Sequence, residues 1–136
     1  ADILAHRARR SADRTDPALE KVSSLLPTLV GDRIVVVAIN EDGILGAIGA
    51  ARTLGREGDL FYAGQGTDPS IWKDVACNPQ YISTVGYFPE QYGKTVVPAM
   101  IDLLDGKEVP TELFTPHEAV NAGNIATLYP DAPACG

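Results

Sequence analysis

Ile34-Val35-Val36-Val37-Ala38-Ile39, followed at once by Asn40-Glu41-Asp42-Gly43, is the stretch on which the fold turns. Its first part is a continuous, β-branched apolar run without polar alternation. Such a run predicts a strand covered on both faces, as in a parallel sheet. Beyond it, Ile44, Ala47, Ile48 and Ala51 recur at helical spacing and the stripe closes at Gly55. Asn40 at that junction reads both as a cap for the helix and as a polar group at a strand end. Glu41 and Asp42 read as acids placed for the helix dipole.

The same unit extends in both directions. Upstream, Asp16-Pro17 is a cap and first-turn pair, and Leu19, Val22, Leu26 and Leu29 form one apolar stripe that ends at Gly31. Downstream, Leu60-Phe61-Tyr62-Ala63 predicts a second strand, and Asp68-Pro69 opens a short helix lined by Ile71, Trp72 and Val75. Tyr81-Ile82-Ser83-Thr84-Val85 predicts a third strand. Pro89 then opens a longer helix carrying Tyr92, Val96, Val97, Met100, Ile101 and Leu104, which stops at Gly106 and should kink at Pro98. The Pro- and Gly-rich remainder offers one strand around Leu113 to Thr115. Strands alternating with helices mean right-handed crossovers. The expected fold is therefore α/β: a three-layer αβα arrangement around a mainly parallel sheet.

Composition narrows the function classes. The chain has 136 residues, 45% hydrophobic and 21% charged, which is one ordinary globular domain. A formal net charge of −7 repels phosphate backbones, so nucleic acid is not an expected partner. Residues 1–16 hold Arg7, Arg9, Arg10 and Arg14 with His6 but no continuous apolar face, and read as a basic linker or frayed helix. No apolar run approaches the roughly 20 residues that span a bilayer, and no signal-peptide core precedes Asp16. Cys77 and Cys135 are the only cysteines, too few for a zinc ribbon or an iron–sulfur site. Two packed free thiols are the expectation, with a single bridge as the alternative in an oxidising compartment. Neither His6 nor His117 has a Glu at ligand spacing in a helical pattern, so no metal site and no cofactor is expected.

In an open parallel sheet, ligands bind where the carboxyl ends of strands run into loops. Three such ends carry Asn40, Gln65 and Tyr87, followed by Glu41-Asp42-Gly43, Gly66-Thr67 and Phe88-Pro89 respectively. Amides and a phenol donate and accept hydrogen bonds but are poor acids, bases or nucleophiles near neutral pH. That chemistry suits gripping a polyhydroxylated, uncharged molecule rather than converting it. The plainer readings are a cap for Asn40, a turn for Gln65 and a core aromatic for Tyr87. Phosphate motifs fail: Gly64-Gln65-Gly66 lacks its third glycine because position 69 is Pro69, and Gly93-Lys94-Thr95 lacks the first glycine of a P-loop because position 88 is Phe88. There is no nucleophile elbow, so no catalytic residue is expected.

These strand ends also carry a resemblance. Asn40-Glu41-Asp42-Gly43-Ile44-Leu45-Gly46-Ala47 resembles the Asn-Asp-x-x-Ala-x-Gly-Ala segment of type I periplasmic sugar-binding proteins, the ribose- and galactose-binding group. Ala63-Gly64-Gln65-Gly66-Thr67 is similar to that family's Gly-Phe-Asp segment, and Tyr87-Phe88-Pro89-Glu90-Gln91-Tyr92-Gly93 to its Gln-x-Pro-x-x-x-Gly segment. Leu103-Leu104-Asp105-Gly106-Lys107-Glu108-Val109-Pro110 resembles its Leu-Leu-x-Gly-x-x-Val-Pro, and Asn124-Ile125 with Tyr129-Pro130 its C-terminal end. The order and spacing hold from about residue 17 to 130. Asn40 matches a ligand-binding Asn, while Gln65 stands in place of an Asp, Tyr87 in place of a Gln or Asn, and Glu41 in place of an Asp.

The resemblance implies a solute-binding subunit of an ABC importer, periplasmic or lipid-anchored, that traps a sugar between two lobes and delivers it to a membrane permease. Residues 17–136 would then be the carboxyl-side lobe of a truncated chain, with residues 89–110 belonging to the absent amino-side lobe. Such a helix should present an apolar face without its partner, and self-association is the expected consequence. Two rival classes are the effector domain of a lactose-repressor-type regulator, which needs a helix-turn-helix, and a small flavodoxin-like enzyme. For the enzyme the rim offers only Glu41, Asp42 or Asp68 as an acid or base.

Overall fold

The computed structural model describes residues 15–135. Most of the basic N-terminal segment therefore lies outside the described residues. Four strands, β1 (Ile34–Val37), β2 (Leu60–Gln65), β3 (Tyr81–Gly86) and β4 (Glu118–Val120), form one sheet in the order β1-β2-β3-β4. β1, β2 and β3 run parallel, and β4 closes the edge antiparallel to β3. The helices are α1 (Thr15–Leu25), α2 (Glu41–Thr53), α3 (Trp72–Cys77), α4 (Tyr92–Leu104) and α5 (Ile125–Leu128). The α/β class and the mainly parallel sheet are as the alternation of elements predicts.

Local chemistry accounts for the element ends. Asp16 lies inside α1 rather than capping it. Asp68 accepts from the Ser70 N–H and opens the short turn that leads into α3. After α1 the chain returns to the sheet under Arg56, whose guanidinium donates to the Leu26, Leu29 and Gly31 carbonyls at 2.7, 3.0 and 2.6 Å. The Leu26 carbonyl also accepts from the Leu29 N–H at 3.2 Å, so Arg56 ties the end of the helical turn and the loop beyond it together. α4 runs uninterrupted through Pro98.

One buried cluster forms the core. Leu26, Ile44, Ile48, Leu60, Tyr62, Ile71, Val75 and Ile125 meet there, so α2, α3 and α5 pack with the strands and Leu26 joins them from the turn after α1. β1 departs from expectation. Ile34 and Val36 face this core, but Val35, Val37 and Ile39 face outward, with Val37 75% exposed. The strand is thus covered on one face only, and its residues alternate between core and solvent. α4 is the other uncovered element: none of its residues is buried, and Leu104 is 84% exposed.

Two further expectations are corrected. Leu113 to Thr115 form no strand; the pairing segment is Glu118–Val120, beyond Pro116, where Val120 drops into the core opposite Thr84. Cys77 and Cys135 are not free thiols but a disulfide, with Cα atoms 5.4 Å apart. Both residues are exposed. The pair links the end of α3 to the end of the described chain, a meeting across 58 residues that no local pattern announces.

Candidate functional site

The sheet register decides which predicted groups can meet. β1 and β2 pair Val37 with Ala63, so the chain leaves β1 toward Asn40 beside the β2 residues that lead to Gln65. Between β2 and β3 the register slips: Tyr62 pairs with Tyr81 and Ala63 with Ser83, which leaves Ile82 as an extra residue. The slip brings Val85 opposite Gln65 and so sets Tyr87 just beyond the end of β2.

Gln65 and Tyr87 meet directly. The Tyr87 hydroxyl donates to Gln65 Oε1. That bond commits the Gln65 carbonyl to accepting, so toward a ligand Gln65 offers amide N–H donors and Tyr87 offers oxygen lone pairs. Tyr87 is half-buried rather than part of the core, and its ring meets His117 edge-on at 4.9 Å between centroids. Gln65 is exposed and ends β2, so it is a strand residue and not a turn residue.

Asn40 does cap α2, its Oδ1 accepting from the Gly43 N–H at 3.1 Å. Glu41 does more than complement the helix dipole. Its carboxylate accepts from the Asp68 N–H at 2.8 Å and lies against Gly66. Gly66 has φ +90°, and a Cβ there would lie 2.1 Å from Glu41 Oε1, so only glycine lets the carboxylate close over this loop. The loop is further fixed from beneath by Thr84, which is 1% exposed and donates to the Gly66 carbonyl at 2.6 Å. Asp42 is held by the Thr15 hydroxyl, which donates to it at 2.9 Å. Of the three predicted groups, Gln65 and Tyr87 are thus joined directly, while Asn40 is engaged as the cap of α2.

The sequence does not foretell a cluster that lies next to these loops. Thr67, Trp72, Phe88 and Tyr129 form an aromatic and hydroxyl cluster directly beneath the rim. The Trp72 indole N–H donates to the Thr67 carbonyl at 2.9 Å, and the Thr67 and Tyr129 hydroxyls bond each other. Burial pushes the Tyr129 phenol upward, with the Thr67 hydrogen bond opposing. Tyr62 and Tyr81 are pushed up to about 12, chiefly by burial, but they belong to the core. Asp74 is raised by burial, with Arg52 opposing, and lies at the far end of the sheet. It lines a cleft of about 290 Å³ with Arg52, Lys73, Tyr62 and Gln80, at the amino ends of β2 and β3 and away from the rim. Among the described residues, no three His, Cys, Asp or Glu side chains gather as a metal site would need. No helix among them is long and apolar enough to cross a membrane.

No known family's sequence profile matches the chain, and no curated protein matches it. Solved structures do. An ABC transporter solute-binding protein from Agrobacterium vitis with bound allitol superimposes with a TM-score of 0.78 at 21% identity, over 93% of this chain and 44% of that one. The chain has the fold of a solute-binding-protein lobe. An ABC sugar transporter subunit from Rhodobacter sphaeroides 2.4.1 gives 0.74 at 23% identity, over 90% of this chain and 44% of its own. A periplasmic solute-binding protein from Actinobacillus succinogenes 130z with bound D-allose gives 0.73 at 16%, over 84% and 40%. The lobe thus spans well under half the length of the structures it matches. Its α/β architecture agrees with the expectation from the alternating elements and from the resemblance.

Proposed function

We propose that the lobe binds a sugar or sugar-like solute for ABC-type import, with Asn40, Gln65 and Tyr87 as ligand-binding residues and without catalysing a reaction. The observation that carries this reading is the Tyr87–Gln65 hydrogen bond, which joins two adjacent strand ends into one polar grip. A pair so committed presents donors on one side chain and acceptors on the other, which is what a row of hydroxyls requires. Neighbours of the same fold hold allitol and D-allose, and a third from Agrobacterium vitis holds D-fucose, which supports an uncharged polyol or sugar as the class.

In this reading the lobe is the carboxyl-side part of a two-lobed protein, residues 89–110 pack with the opposing lobe, and a membrane permease is the partner. The location is periplasmic or lipid-anchored outside the cytoplasm. The fully unburied α4 supports that division, because Val97, Met100, Ile101 and Leu104 make an apolar surface with nothing on it. Alone, the lobe should self-associate through that surface.

Titration calorimetry of the product of the full coding sequence with aldohexoses, 6-deoxyhexoses and polyols tests the assignment. At least one should bind, Gln65→Ala should weaken it by about tenfold or more, and the 136-residue chain should bind more weakly than the full product. Absence of binding across the series, or wild-type affinity in Gln65→Ala, overturns it.

A further inference from the structure

We infer that Tyr129 positions the binding rim and that the Cys77–Cys135 disulfide holds Tyr129 in place, so that affinity for solute depends on the redox state of this bridge. The inference rests on the binding reading above but concerns residues that reading does not use.

Tyr129 touches both loops of the grip. Its hydroxyl bonds Thr67, two residues after Gln65, and its ring stacks on Phe88, the residue after Tyr87, at 5.8 Å and 10° between planes. On its other side it packs against Trp72 at 5.1 Å. Phe88 needs such support. It has φ +50°, the left-handed region, and is the only non-glycine residue among those described with a positive φ. A side chain held there costs of order 1–3 kcal/mol and persists only where its surroundings over-determine it. Here the ring is 5% exposed and lies between Tyr129 and Gly86, where a Cβ would come 2.9 Å from Phe88 Cζ. The left-handed turn is also where the chain leaves β3 immediately after Tyr87, so the support of Phe88 bears on where the Tyr87 hydroxyl reaches.

Tyr129 packs against the core cluster with Leu128 and Ala132, and the bridge adds a covalent tie beyond them. Tyr129 follows α5, a helix of four residues, and the segment beyond it is anchored by Ala132 N–H donating to the Tyr129 carbonyl at 2.9 Å. Cys135 then bonds Cys77, which ends α3 five residues after Trp72. The bridge therefore fastens the segment carrying Tyr129 to the helix carrying Trp72, the two aromatics that between them hold Thr67. Opening it should free the far end of the segment and leave Tyr129 held by its packing against the main cluster, which contains neither cysteine.

The test uses Trp72 as reporter, since the chain has one tryptophan. Emission, and the NMR resonances of the Gln65 side-chain amide, are recorded for the oxidised chain, for the chain under mild reductant, and for Cys77→Ser/Cys135→Ser. Sugar affinity is measured in parallel on the protein used for the titrations above. Reduction should shift Trp72 emission and the Gln65 amide while far-ultraviolet dichroism is retained, and should weaken binding by about threefold to tenfold. In the oxidised protein Tyr129→Phe should weaken binding by a similar factor, and Tyr129→Phe/Thr67→Val by no more than either single change, because both remove the same bond. A merely stabilising tyrosine would lower the melting temperature while leaving affinity and the Gln65 amide unmoved.

Unshifted emission and amide resonances on reduction overturn the inference, as does unchanged affinity in either the reduced protein or Tyr129→Phe. If no sugar binds the oxidised protein, the binding reading fails by itself. The Gln65 amide then still decides whether Tyr129 and the bridge position the rim. Should the reduced chain unfold, unchanged affinity and an unmoved Gln65 amide in Tyr129→Phe with the disulfide intact overturn the positioning role and the inference with it.

Discussion

Asn40 has two assignments that one substitution cannot separate, and a pair of substitutions can. As the cap of α2 it accepts from the Gly43 N–H at 3.1 Å. Removing an Asn cap costs about 1 kcal/mol, within a range of about 0.5–2. For a chain of 136 residues the unfolding entropy near the midpoint is about 0.29 kcal/mol/K, so Asn40→Ala should lower the melting temperature by about 3–4 °C. Asn40→Asp keeps an acceptor at the same place, and Asp caps as well as Asn, so its melting temperature should stay within about 2 °C of wild type. In the proposed site, however, the two carboxylate oxygens cannot replace the Nδ2–H donors, and the new charge lies beside Glu41 and Asp42. Sugar affinity should therefore fall by about tenfold or more in both variants, although only one of them is destabilised. Scanning calorimetry and titration calorimetry on the same preparations make the comparison. If Asn40→Asp melts and binds like wild type, Asn40 is a cap alone and leaves the site. If Asn40→Ala melts like wild type, the capping bond contributes nothing and the local account of α2 is wrong.

Other consequences can be measured independently. Tyr62 and Tyr81 are pushed up to about 12 by burial, so the fold favours the neutral phenols. Their contribution is complete below the unfolded value near 10 and is lost as pH rises from 10 through about 12. Each is worth up to about 3 kcal/mol, so urea midpoints should fall steeply above pH 10, and Tyr62→Phe should flatten that fall; an equal slope in the variant refutes the assignment. Closing a loop of 58 residues, the Cys77–Cys135 bridge should contribute about 4 kcal/mol in the chain-entropy account. Its reduction, or Cys135→Ser, should lower the melting temperature by about 14 °C, and a change under about 3 °C would show that the ends are already held. Met100→Glu with Leu104→Lys should leave the melting temperature unchanged, since nothing in α4 is buried, while reducing the light-scattering mass of the concentrated chain toward the monomer. An unchanged mass places any association elsewhere.

What was legible in the sequence was the part governed by near neighbours. The cap at Asp68, the helical stripe from Ile44 to Ala51 and the strand at Tyr81 all depend on residues within a few positions, and each lies where periodicity places it. The strand ends are local too, and this is why Gln65 and Tyr87 could be set on one rim before their bond was visible. The rest depended on distant pairings. Glu41 reaches Asp68 across 27 residues and Tyr129 reaches Thr67 across 62, and neither end carries a pattern pointing to the other. The cysteines repeat the lesson, since two thiols 58 residues apart read alike whether they are buried separately or bonded.

The misreading of β1 has a different origin. An unbroken run such as Ile34 to Ile39 records that both faces of a strand avoid water, and it says nothing of what covers them. In this chain the inner face, with Ile34 and Val36, packs on the core, while the outer face, with Val35, Val37 and Ile39, meets solvent. α4 poses the same problem, with a continuous apolar surface and no buried residue. A folded chain rarely leaves two such surfaces uncovered while satisfying every buried side-chain polar atom among the described residues, as this one does. The polar interior is complete and the apolar exterior is not, which is the state expected of a lobe whose strands and rim are finished internally but whose outer faces answer to a partner. On that argument the exposed valines of β1 and the bare face of α4 support the two-lobed reading independently of the rim chemistry. A monomeric, non-associating chain with both surfaces exposed at high concentration would leave that reading without its structural support.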